Sequence, residues 1–332
     1  MSYKSKIDRN IPEYNSRIYV AGHRGLVGSS ILDKLRAEGY TNILTRSHSE
    51  LDLMDQEKVK FFFEKEKPEF VFLAAARVGG ILANNTYPAD FIYENLVIQN
   101  NIIHQSFIND VQKLIFLGSS CIYPKLCHQP MREEYIMTGP LEPTNSPYAT
   151  AKIAGIEMCW SYNRQYDTQF FPVMPTNLYG PNDNFDLNDS HVLPALIRKF
   201  HEAKIVEAES VIVWGSGKPK REFLYVDDLA DACVFILKLP YDKINSTLHS
   251  GSNFLINIGT GKEISINELA EIIAKIIGFE GRIDYDISKP DGTPRKLLDV
   301  KKINSLGWNA KTGLKEGIQK TYKWYLNSVQ ST

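Results

Sequence analysis

The chain has 332 residues, of which 43% are hydrophobic and 23% are charged, a composition typical of a globular protein with one large domain or two smaller ones. The formal net charge of −1 argues against a general nucleic-acid binder or a membrane-surface protein, so any anion-binding site has to be local. The sequence contains no run of about 18 apolar residues, so no membrane span is predicted, and the N-terminus lacks the apolar core of a signal peptide. The four cysteines form no CxxC pair, so neither a metal site nor a disulfide framework is expected. Together these features favour a cytoplasmic protein.

Short apolar runs alternate with amphipathic stretches from Arg17 to about Pro172. Strands are predicted at 17–22, 41–46, 69–76 and 113–120, and a further strand in the stretch 168–180. Helices are predicted at 25–38, after Asp55 as N-cap, at about 89–109 and at about 147–166. Continuous apolar strands separated by helices indicate βαβ units, so the predicted fold class is α/β with a Rossmann-type doubly wound parallel sheet.

The second half of the chain has shorter strands in a less regular order. Strands are predicted in VIVWG, REFLYV, LINIG and RIDYD, and helices at 227–238, 265–277 and 314–327. This pattern predicts a smaller mixed α/β lobe packed against the first domain. We therefore divide the chain into an N-terminal extension at 1–16, a Rossmann domain at 17–180 and a lobe at 181–330, with about 222–262 crossing back. The stretch 239–253 is the best candidate for an exposed surface insertion.

Three glycines follow the first predicted strand at three-residue spacing, in the stretch VAGHRGLVGSSI: Gly22, Gly25 and Gly28. Glycines at such a turn permit close approach of a pyrophosphate, and the free N–H groups of the following helix attract it. Alone they are a weak signal, since any tight strand-to-helix turn uses glycine. Between an apolar strand and an amphipathic helix, they favour a dinucleotide site.

The end of the second strand bears on which dinucleotide binds. An NAD site usually has an acidic residue about 20 positions after the first glycine. This chain has Arg46 and His48 there instead, and Arg24 lies within the glycine turn. Cations in place of a carboxylate suit a 2′-phosphate, so we expect NADPH rather than NADH. Arg46 is equally compatible with a solvated surface position.

A second group of residues has the chemistry of carbonyl reduction. Tyr148 and Lys152 are four residues apart on one helix face, and Ser119 ends the strand before that helix. A nearby ammonium lowers the pKa of a phenol, and a serine hydroxyl can hold a carbonyl oxygen beside it. The three residues predict a site that donates a proton to an alkoxide as hydride arrives.

Two other residues stay ambiguous when they are considered alone. Cys121 follows the same strand as Ser119 and is as readily a buried packing residue as a reactive thiol. A thiolate there requires a lowered pKa, which nearby cations could supply. His191 is most simply a polar residue near the N-cap of the helix that follows it.

Eight motifs resemble those of extended short-chain dehydrogenases/reductases that act on nucleotide sugars, and among them those of the GDP-L-fucose synthases. They span about residues 17–326 and are AGHRGLVGS, VGGILANNTYPADFIYEN, FLGSSCIYPK, EPTNSPYATAKIAG, MPTNLYGPNDNF, SHVLPALIRKF, VWGSGKPKREFLYVDD and KPDGTPRKLLD. The resemblance implies conversion of GDP-4-keto-6-deoxy-D-mannose to GDP-L-fucose, by 3,5-epimerisation and then NADPH-dependent reduction at C4. It also implies that 17–180 binds NADP, that 181–330 mainly binds the GDP-sugar, and that the helices near 89–109 and 147–166 pair in a homodimer as a four-helix bundle.

The resemblance further implies roles for single residues. Cys121 is the base and His191 the acid of the epimerisation, and the rest of the catalytic set is Ser119, Tyr148 and Lys152. The implied cofactor contacts are Gly22, Arg24, Gly25, Gly28, Arg46, His48, Leu117, Gly118, Lys152, Pro175, Asn177, Leu178 and His191.

Basic residues also gather in the half of the chain expected to bind the substrate. The resemblance points to Lys199, Trp214 and Arg221 as GDP-sugar contacts, with Lys296 and Asp291 as further ones. Cations pair with phosphate oxygens, and a tryptophan supplies an aromatic face. Each residue also has a simpler interpretation, as a solvated cation, a core tryptophan or, for Asp291, a turn residue.

Two other functions remain open at this level. Another nucleotide-sugar epimerase or reductase of the same fold would share most of the motifs, although an NAD-retaining epimerase favours an acidic residue after the second strand. A non-catalytic NADPH-binding regulator often lacks the Tyr or the Lys, whereas this chain has Tyr148 and Lys152 together with Ser119 and Cys121.

Overall fold

The protein is described here from a computed structural model that covers residues 11–187, 190–248, 253–289 and 291–330. Its strands are β1 (Ile18–Ala21), β2 (Ile43–Leu44), β3 (Phe70–Leu73), β4 (Lys113–Leu117), β5 (Phe170–Pro175), β6 (Asn177–Tyr179), β7 (Ser210–Trp214), β8 (Lys220–Tyr225), β9 (Ile256–Ile258), β10 (Glu263–Ser265), β11 (Arg282–Asp286) and β12 (Arg295–Lys296). Its helices are α1 (Leu26–Ala37), α2 (Gln56–Glu66), α3 (Ile81–Thr86), α4 (Pro88–Ile108), α5 (Ser146–Tyr166), α6 (Val192–Ile205), α7 (Val226–Lys238), α8 (Tyr241–Leu248), α9 (Ile266–Ile277), α10 (Lys301–Leu306) and α11 (Leu314–Gln330).

A six-stranded parallel sheet in the order β2-β1-β3-β4-β5-β9 forms the centre of the first domain. Alternate residues of β1 face opposite sides of it: Ile18 and Val20 enter one core, and Tyr19 and Ala21 enter the other. Because both faces are covered, the strands are mostly apolar instead of alternating with polar residues. The predicted α/β fold with a doubly wound parallel sheet is confirmed.

Helices cover both faces of this sheet. One core includes Leu35 of α1, Leu229 of α7 and Ile303 of α10. The other includes side chains from α2, α4 and α5. As predicted, Asp55 is the N-cap of α2, and its side chain accepts a hydrogen bond from the backbone N of Lys58. Among the described ranges, no helix is both long and apolar enough to cross a membrane.

The remaining strands build a second lobe with its own core. Strand β8 pairs with β6, β10 and β12, and β7 pairs in parallel with β11. Helices α6, α9 and α11 pack on these strands around a third hydrophobic core. Helix α9 begins with a capping box formed by Ser265 and Glu268, and ends at Gly278, which has φ +76°. A glycine suits this left-handed position because it has no Cβ.

Two segments differ from the sequence-based expectations. The predicted strand at 168–180 is two strands, since β5 belongs to the six-stranded sheet and β6 pairs with β8 of the other lobe. The stretch 239–253 was expected to be an exposed insertion, but 241–248 form α8, in which Ile244 is fully buried. Residues 249–252 of that stretch and 1–10 of the N-terminal extension lie outside the described residues.

Candidate active site

The glycine turn between β1 and α1 leaves no room for a side chain at two positions. Gly22 has φ +85°, and a Cβ there would lie 2.7 Å from the backbone N of Ala75. A Cβ on Gly28 would lie 2.1 Å from the Gly22 carbonyl oxygen, whereas one on Gly25 would meet that oxygen at 3.6 Å. Gly25 is the N-cap of α1 without a side-chain cap, so no capping side chain competes for the first N–H groups. The turn therefore fits the pyrophosphate of a dinucleotide.

The three cations expected near a 2′-phosphate have different surroundings. Arg24 is exposed on the glycine turn. Arg46 is held by α2, because its Nη2 donates to Glu66 Oε1 at 2.7 Å and its guanidinium lies over the Phe62 ring. The His48 side chain is 85% exposed. Arg46 is thus an ion-paired residue in this structure, which differs from a purely solvated position.

The expected hydroxyl groups meet at the carboxyl end of β4. The Lys152 Nζ donates to the Leu117 carbonyl oxygen at 2.9 Å and lies 5.8 Å from the centre of the Tyr148 ring. The Ser119 side chain acts on the Tyr148 hydroxyl and lowers its pKa. Gly118 allows β4 to lie close to β5, because a Cβ there would be 1.9 Å from the Cε of Met174. Five residues predicted from the sequence therefore form one cluster.

Burial sets the proton affinity of this cluster. It raises the pKa of Tyr148 well above its ordinary value, the Cys121 thiol raises it further, and the Ser119 hydrogen bond opposes both. Burial lowers the pKa of Lys152 to about 8. The expectation that Lys152 lowers the pKa of Tyr148 is not met in this structure, because desolvation of the phenolate dominates and Lys152 is not among the groups that shift this pKa. A phenol that keeps its proton suits a proton donor.

Cys121 lies in a 3₁₀ turn, Ser120–Ile122, directly after β4. Its backbone N donates to Ser119 Oγ at 3.4 Å, and its side chain is buried. It lines a cavity together with Lys296 of β12. Burial raises the pKa of Cys121, and the Ser119 hydrogen bond, Lys296 and Lys152 lower it in part. The cations that the thiol needs are present, but they do not bring its pKa below the ordinary value in this structure.

Pro175, Asn177 and Leu178 lie where the chain passes from β5 to β6. The Asn177 Nδ2 donates to the Glu222 carbonyl oxygen at 2.7 Å, and Leu178 packs against the core of the first domain. Because β1, β4 and β5 are parallel, their carboxyl ends share one edge of the sheet. The residues after β5 therefore lie at the same edge as the glycine turn and Ser119, which is where α/β sheets bind ligands.

His191 is the N-cap of α6, with extended backbone (φ −72°, ψ 162°) and no side-chain cap hydrogen bond. Its side chain is exposed. The residue therefore occupies the helix-terminal position that the sequence suggested but does not cap the helix with its ring. Its role as an acid stays a prediction.

Two lysines flank an exposed tryptophan in the second lobe. Trp214 is 51% exposed at the end of β7. The Nζ atoms of Lys199 and Lys289 lie 4.8 Å and 5.5 Å from the centre of its ring. Lys289 was not among the expected substrate contacts, although it begins KPDGTP, which is part of one of the motifs that carry the family resemblance. Trp214 is thus not a core residue, and its exposed ring with two cations suits a base joined to a diphosphate.

Arg221, Lys296 and Asp291 come together around β8. Lys296 on β12 pairs in register with Arg221 on β8. Burial lowers the pKa of Arg221, and Asp291 opposes this. The Asp291 Oδ1 accepts from Ser216 N at 2.6 Å and its Oδ2 accepts from Ser216 Oγ at 2.8 Å. Asp291 therefore holds the turn at 215–217, in line with its simpler interpretation, and Pro290 before it lies outside the described residues.

A buried carboxylate beside Arg221 was missed at the sequence level. The Glu222 side chain is fully buried and accepts hydrogen bonds from the backbone N–H groups of Thr260 (2.6 Å), Gly261 (2.7 Å) and Leu298 (2.9 Å). These partners are distant in the chain, so no spacing pattern indicates them. Within the described ranges, no group of His, Cys, Asp and Glu side chains is arranged to hold a metal ion.

Comparison with known proteins gives concordant results. The sequence profile described as "NAD dependent epimerase/dehydratase family" matches residues 18–251. The chain is 57% identical over 317 residues to "Putative GDP-L-fucose synthase 2" of Arabidopsis thaliana, covering 96% of this chain and 94% of the relative. It is 54% identical over 313 residues to "GDP-L-fucose synthase" of Escherichia coli (strain K12), covering 94% and 97%. The crystal structure of a GDP-L-fucose synthetase from Naegleria fowleri bound to NADP superimposes with a TM-score of 0.87 at 29% identity, covering 97% of this chain and 96% of that one.

Proposed function

Because the chain belongs to the NAD dependent epimerase/dehydratase family and, within it, to the GDP-L-fucose synthases, we propose that it converts GDP-4-keto-6-deoxy-D-mannose to GDP-L-fucose. The reaction epimerises C3 and C5 and then reduces C4 with NADPH. The observation that carries this function is the buried Cys121 thiol beside Ser119 and Tyr148 at the end of β4. Reduction of a carbonyl alone needs the two hydroxyls and Lys152 but no thiol, so the thiol points to proton removal at carbon.

The epimerisation uses the acidity of the C3–H and C5–H bonds beside the C4 ketone. The Cys121 thiolate takes the proton, so that the C–H bond breaks, an S–H bond forms and the electron pair moves onto the C4 oxygen. The Ser119 and Tyr148 hydroxyls donate hydrogen bonds to this enolate oxygen. His191 returns a proton from the opposite face, which inverts the carbon centre.

The reduction uses the same oxygen site. When bound, NADPH supplies the hydride for C4. Tyr148 donates its phenolic proton to the C4 oxygen, and Ser119 holds that oxygen in place. Lys152 would hold the nicotinamide ribose of a bound cofactor, and its ammonium would stabilise the phenolate that remains on Tyr148.

The cofactor proposal rests on the residues around the glycine turn. Gly22, Gly25 and Gly28 with the N-terminus of α1 fit a pyrophosphate, and Leu117, Gly118, Pro175, Asn177 and Leu178 line the nicotinamide side. Arg24, assisted by Arg46 and His48, is proposed to favour a 2′-phosphate and hence NADPH over NADH. The ratio of kcat/KM for the two cofactors tests this preference, which Arg24→Ala should reduce.

The nucleotide end of the substrate is proposed to bind in the second lobe. Lys199 and Arg221 are proposed to pair with the diphosphate oxygens, and the support for this is that the Trp214 ring lies between the Lys199 and Lys289 ammonium groups. Asp291 contributes by holding the turn at 215–217 beside Arg221. The free thiols and this cofactor favour a cytoplasmic location.

A homodimer is proposed through α4 and α5. The two helices pack side by side on one face of the sheet, and large apolar side chains on α4, Tyr93 and Ile108, are 61% and 53% exposed. A second copy that applies the same pair of helices would complete a four-helix bundle and cover these side chains.

Product identification tests the proposed function. Wild-type protein and Cys121→Ser are incubated with NADPH and GDP-4-keto-6-deoxy-D-mannose, and the sugar nucleotides are identified by NMR. We expect GDP-L-fucose from wild type, and no product or unepimerised GDP-rhamnose from the variant. Equal GDP-L-fucose from both would make Cys121 a packing residue. A wild type that oxidises no NADPH would favour an epimerase or a regulator instead.

A further inference from the structure

Cys121 and Lys296 line one small cavity between the two lobes. Cys121 enters it from the turn after β4, and Lys296 enters it from β12. The Cys121 side chain is only 7% exposed. A cation that lines the same cavity as a buried sulfur acts on it through a medium of low polarity, where charges interact more strongly than in water.

Of the two lysines that act on the thiol, only Lys152 is already engaged. The Lys152 Nζ donates to the Leu117 carbonyl oxygen at 2.9 Å. Among the described residues, no hydrogen bond or ion pair holds the Lys296 ammonium. The charged or titratable groups that face Lys296 are Cys121, Arg221, Glu142 and Cys127, and Glu142 lies 3.0 Å from the Nζ of Lys125.

Buried hydrogen bonds fix both partners relative to each other. The Tyr123 hydroxyl, two residues after Cys121, donates to Asn257 Oδ1 at 2.5 Å. The Nδ2 of the same Asn257 donates to the carbonyl oxygens of Met131 (2.9 Å) and Asp299 (3.1 Å). One fully buried amide therefore ties the thiol turn to the strand end that follows Lys296.

The segment that carries Lys296 is also fixed from its other side. The Leu298 N donates to Glu222 Oε2 at 2.9 Å, and the Leu297 N donates to Gln129 Oε1 at 2.9 Å. These contacts fix the backbone from which the Lys296 side chain extends. If Lys296 only attracted a diphosphate, its segment would not need to be fixed relative to the turn that carries Cys121.

We propose that Lys296 is a positioning residue whose ammonium stabilises the Cys121 thiolate for proton removal at C3 and C5, instead of a contact to the substrate diphosphate. The proposal rests on the proposed function, since it assigns the residue to the epimerisation step. The thiol releases its proton to solvent, and the thiolate then accepts the carbon-bound proton. The Lys296 side chain, whose own pKa is lowered by burial and raised by Cys121, transfers no proton in this step.

The balance of forces on the thiol agrees with this role. Burial raises the pKa of Cys121, and Lys296 opposes this more than Lys152 does, after the Ser119 hydrogen bond. Tyr148, which also faces the thiol, carries no charge while protonated. Removal of the Lys296 charge should therefore raise the pKa of Cys121 and disfavour the thiolate.

The rate of Cys121 alkylation by iodoacetamide against pH tests the proposal on the full-length protein without substrate. Fragment-ion mass spectrometry assigns the label to Cys121 or Cys127. Lys296→Met should move the midpoint of the Cys121 profile up by about one pH unit, so that alkylation below the midpoint slows about tenfold. Lys296→Arg keeps the charge and should keep the profile close to wild type.

Lys125→Met is the matched control. Lys125 lines the same cavity, but it pairs with Glu142 and is not among the charges that act on Cys121. Its profile should match wild type. A melting temperature close to wild type in each variant shows that the change in profile is not due to unfolding.

Exchange of solvent deuterium into C3 and C5 of the keto sugar gives a second readout. Lys296→Met should slow exchange about tenfold and leave the KM for the GDP-sugar within a few-fold of wild type. An unchanged alkylation profile with a KM raised about tenfold would assign Lys296 to the diphosphate and overturn the proposal. If wild type exchanges no deuterium at all, the proposed function fails, while the alkylation result still decides the Lys296–Cys121 pairing.

Discussion

At the scale of single residues, burial decides the resting protonation of the candidate catalytic groups. It raises the pKa values of Tyr148 and Cys121 and lowers the pKa of Lys152 to about 8. All three shifts favour the neutral forms, as expected for groups removed from water. A protonated Tyr148 is ready for the reduction, whereas a protonated Cys121 has to be activated for the epimerisation. The two steps should therefore respond differently to substitution.

Tyr148→Phe removes the proton donor of the reduction and leaves the Cys121 thiol in place. We expect the kcat for NADPH oxidation to fall by about 10²–10⁴. Deuterium exchange at C3 and C5 should fall much less, because Ser119 still holds the oxygen. NADPH absorbance and NMR of the recovered sugar nucleotide measure the two rates.

Tyr166→Phe is the control for that experiment, since Tyr166 lies on the same helix at its opposite end and is exposed. Both of its rates should match wild type. Equal losses of exchange and reduction in Tyr148→Phe would show that the phenol is also essential for the enolate.

Residue-level predictions succeeded where the physics is local. The N-cap of α2 at Asp55 depends on residues within one turn, and its bond to Lys58 is present. The direction of the Tyr148 pKa was wrong because it depends on burial, which the spacing of Tyr148 and Lys152 does not encode. Cys121 and Lys296 line the same cavity because β12 pairs with β8, a long-range contact that no local sequence pattern indicates.

At the scale of elements, the glycine turn has room for a Cβ at Gly25 and none at Gly28. In Gly28→Ala the new Cβ would lie 2.1 Å from a carbonyl oxygen, so the turn cannot form. In Gly25→Ala the nearest atom is at 3.6 Å, an ordinary contact, so the fold should survive. The methyl group at Gly25 would nevertheless lie where the pyrophosphate is proposed to bind, and we expect NADPH affinity to fall about tenfold or more.

Calorimetric titration with NADPH and thermal melting separate these effects. Gly25→Ala should keep the wild-type melting temperature and bind weakly, whereas Gly28→Ala should lose both stability and binding. Wild-type NADPH affinity in Gly25→Ala would place the pyrophosphate away from this turn.

Strand β4 begins with a buried lysine that contacts the end of α7. The Lys113 Nζ donates to the carbonyl oxygens of Leu237 (2.9 Å) and Leu239 (2.6 Å), and its side chain is fully buried. Burial lowers its pKa from 10.5 to about 7. Between these values the unfolded chain binds more protons than the folded one, so the free energy of unfolding should rise with pH.

Lys113→Met removes this titration. Between pH 7 and pH 9 we expect wild type to gain about 2 kcal/mol of unfolding free energy relative to the variant. Urea unfolding at each pH measures the difference, and Lys60→Met, at an exposed position of α2, serves as control. If the free energies of unfolding of wild type and Lys113→Met changed with pH in parallel, the pKa of Lys113 in the folded protein would not be lowered.

The positions of most elements followed from the sequence, but their partners did not. The run at 168–180 was predicted as one strand because its aromatic and aliphatic residues suit a strand. It divides into β5 and β6 because each half pairs with a different sheet, which depends on long-range contacts. Helix α8 was missed since its amphipathic signal is short and its anchor, Ile244, is a single side chain.

At the scale of the whole molecule, the apolar side chains on α4 predict self-association. The double variant Tyr93→Glu/Ile108→Glu places charges on that face and should convert a dimer to a monomer, as measured by light scattering after gel filtration. Val206→Glu, at a 73% exposed position after α6, should leave the mass unchanged. A wild-type monomer at micromolar concentration would rule out the proposed dimer.

The membership of this chain in a known family was accessible from its motifs because they span nearly its full length, and the comparisons confirm it. The α/β fold was accessible because buried parallel strands have a distinctive apolar pattern. The arrangement of the second lobe was less accessible, since its short strands pair across long stretches of chain: β10 and β12 both pair with β8.

The chain passes repeatedly between its two lobes. It leaves the first sheet between β5 and β6, returns at β9 as the last strand of that sheet, and later pairs Leu298 with Met131. A hybrid of two relatives joined at a single point near residue 180 would therefore combine strands from different parents within one sheet. New sugar specificities in this architecture should accordingly arise through substitutions at the shared edge, because neither lobe can be exchanged as a separate module.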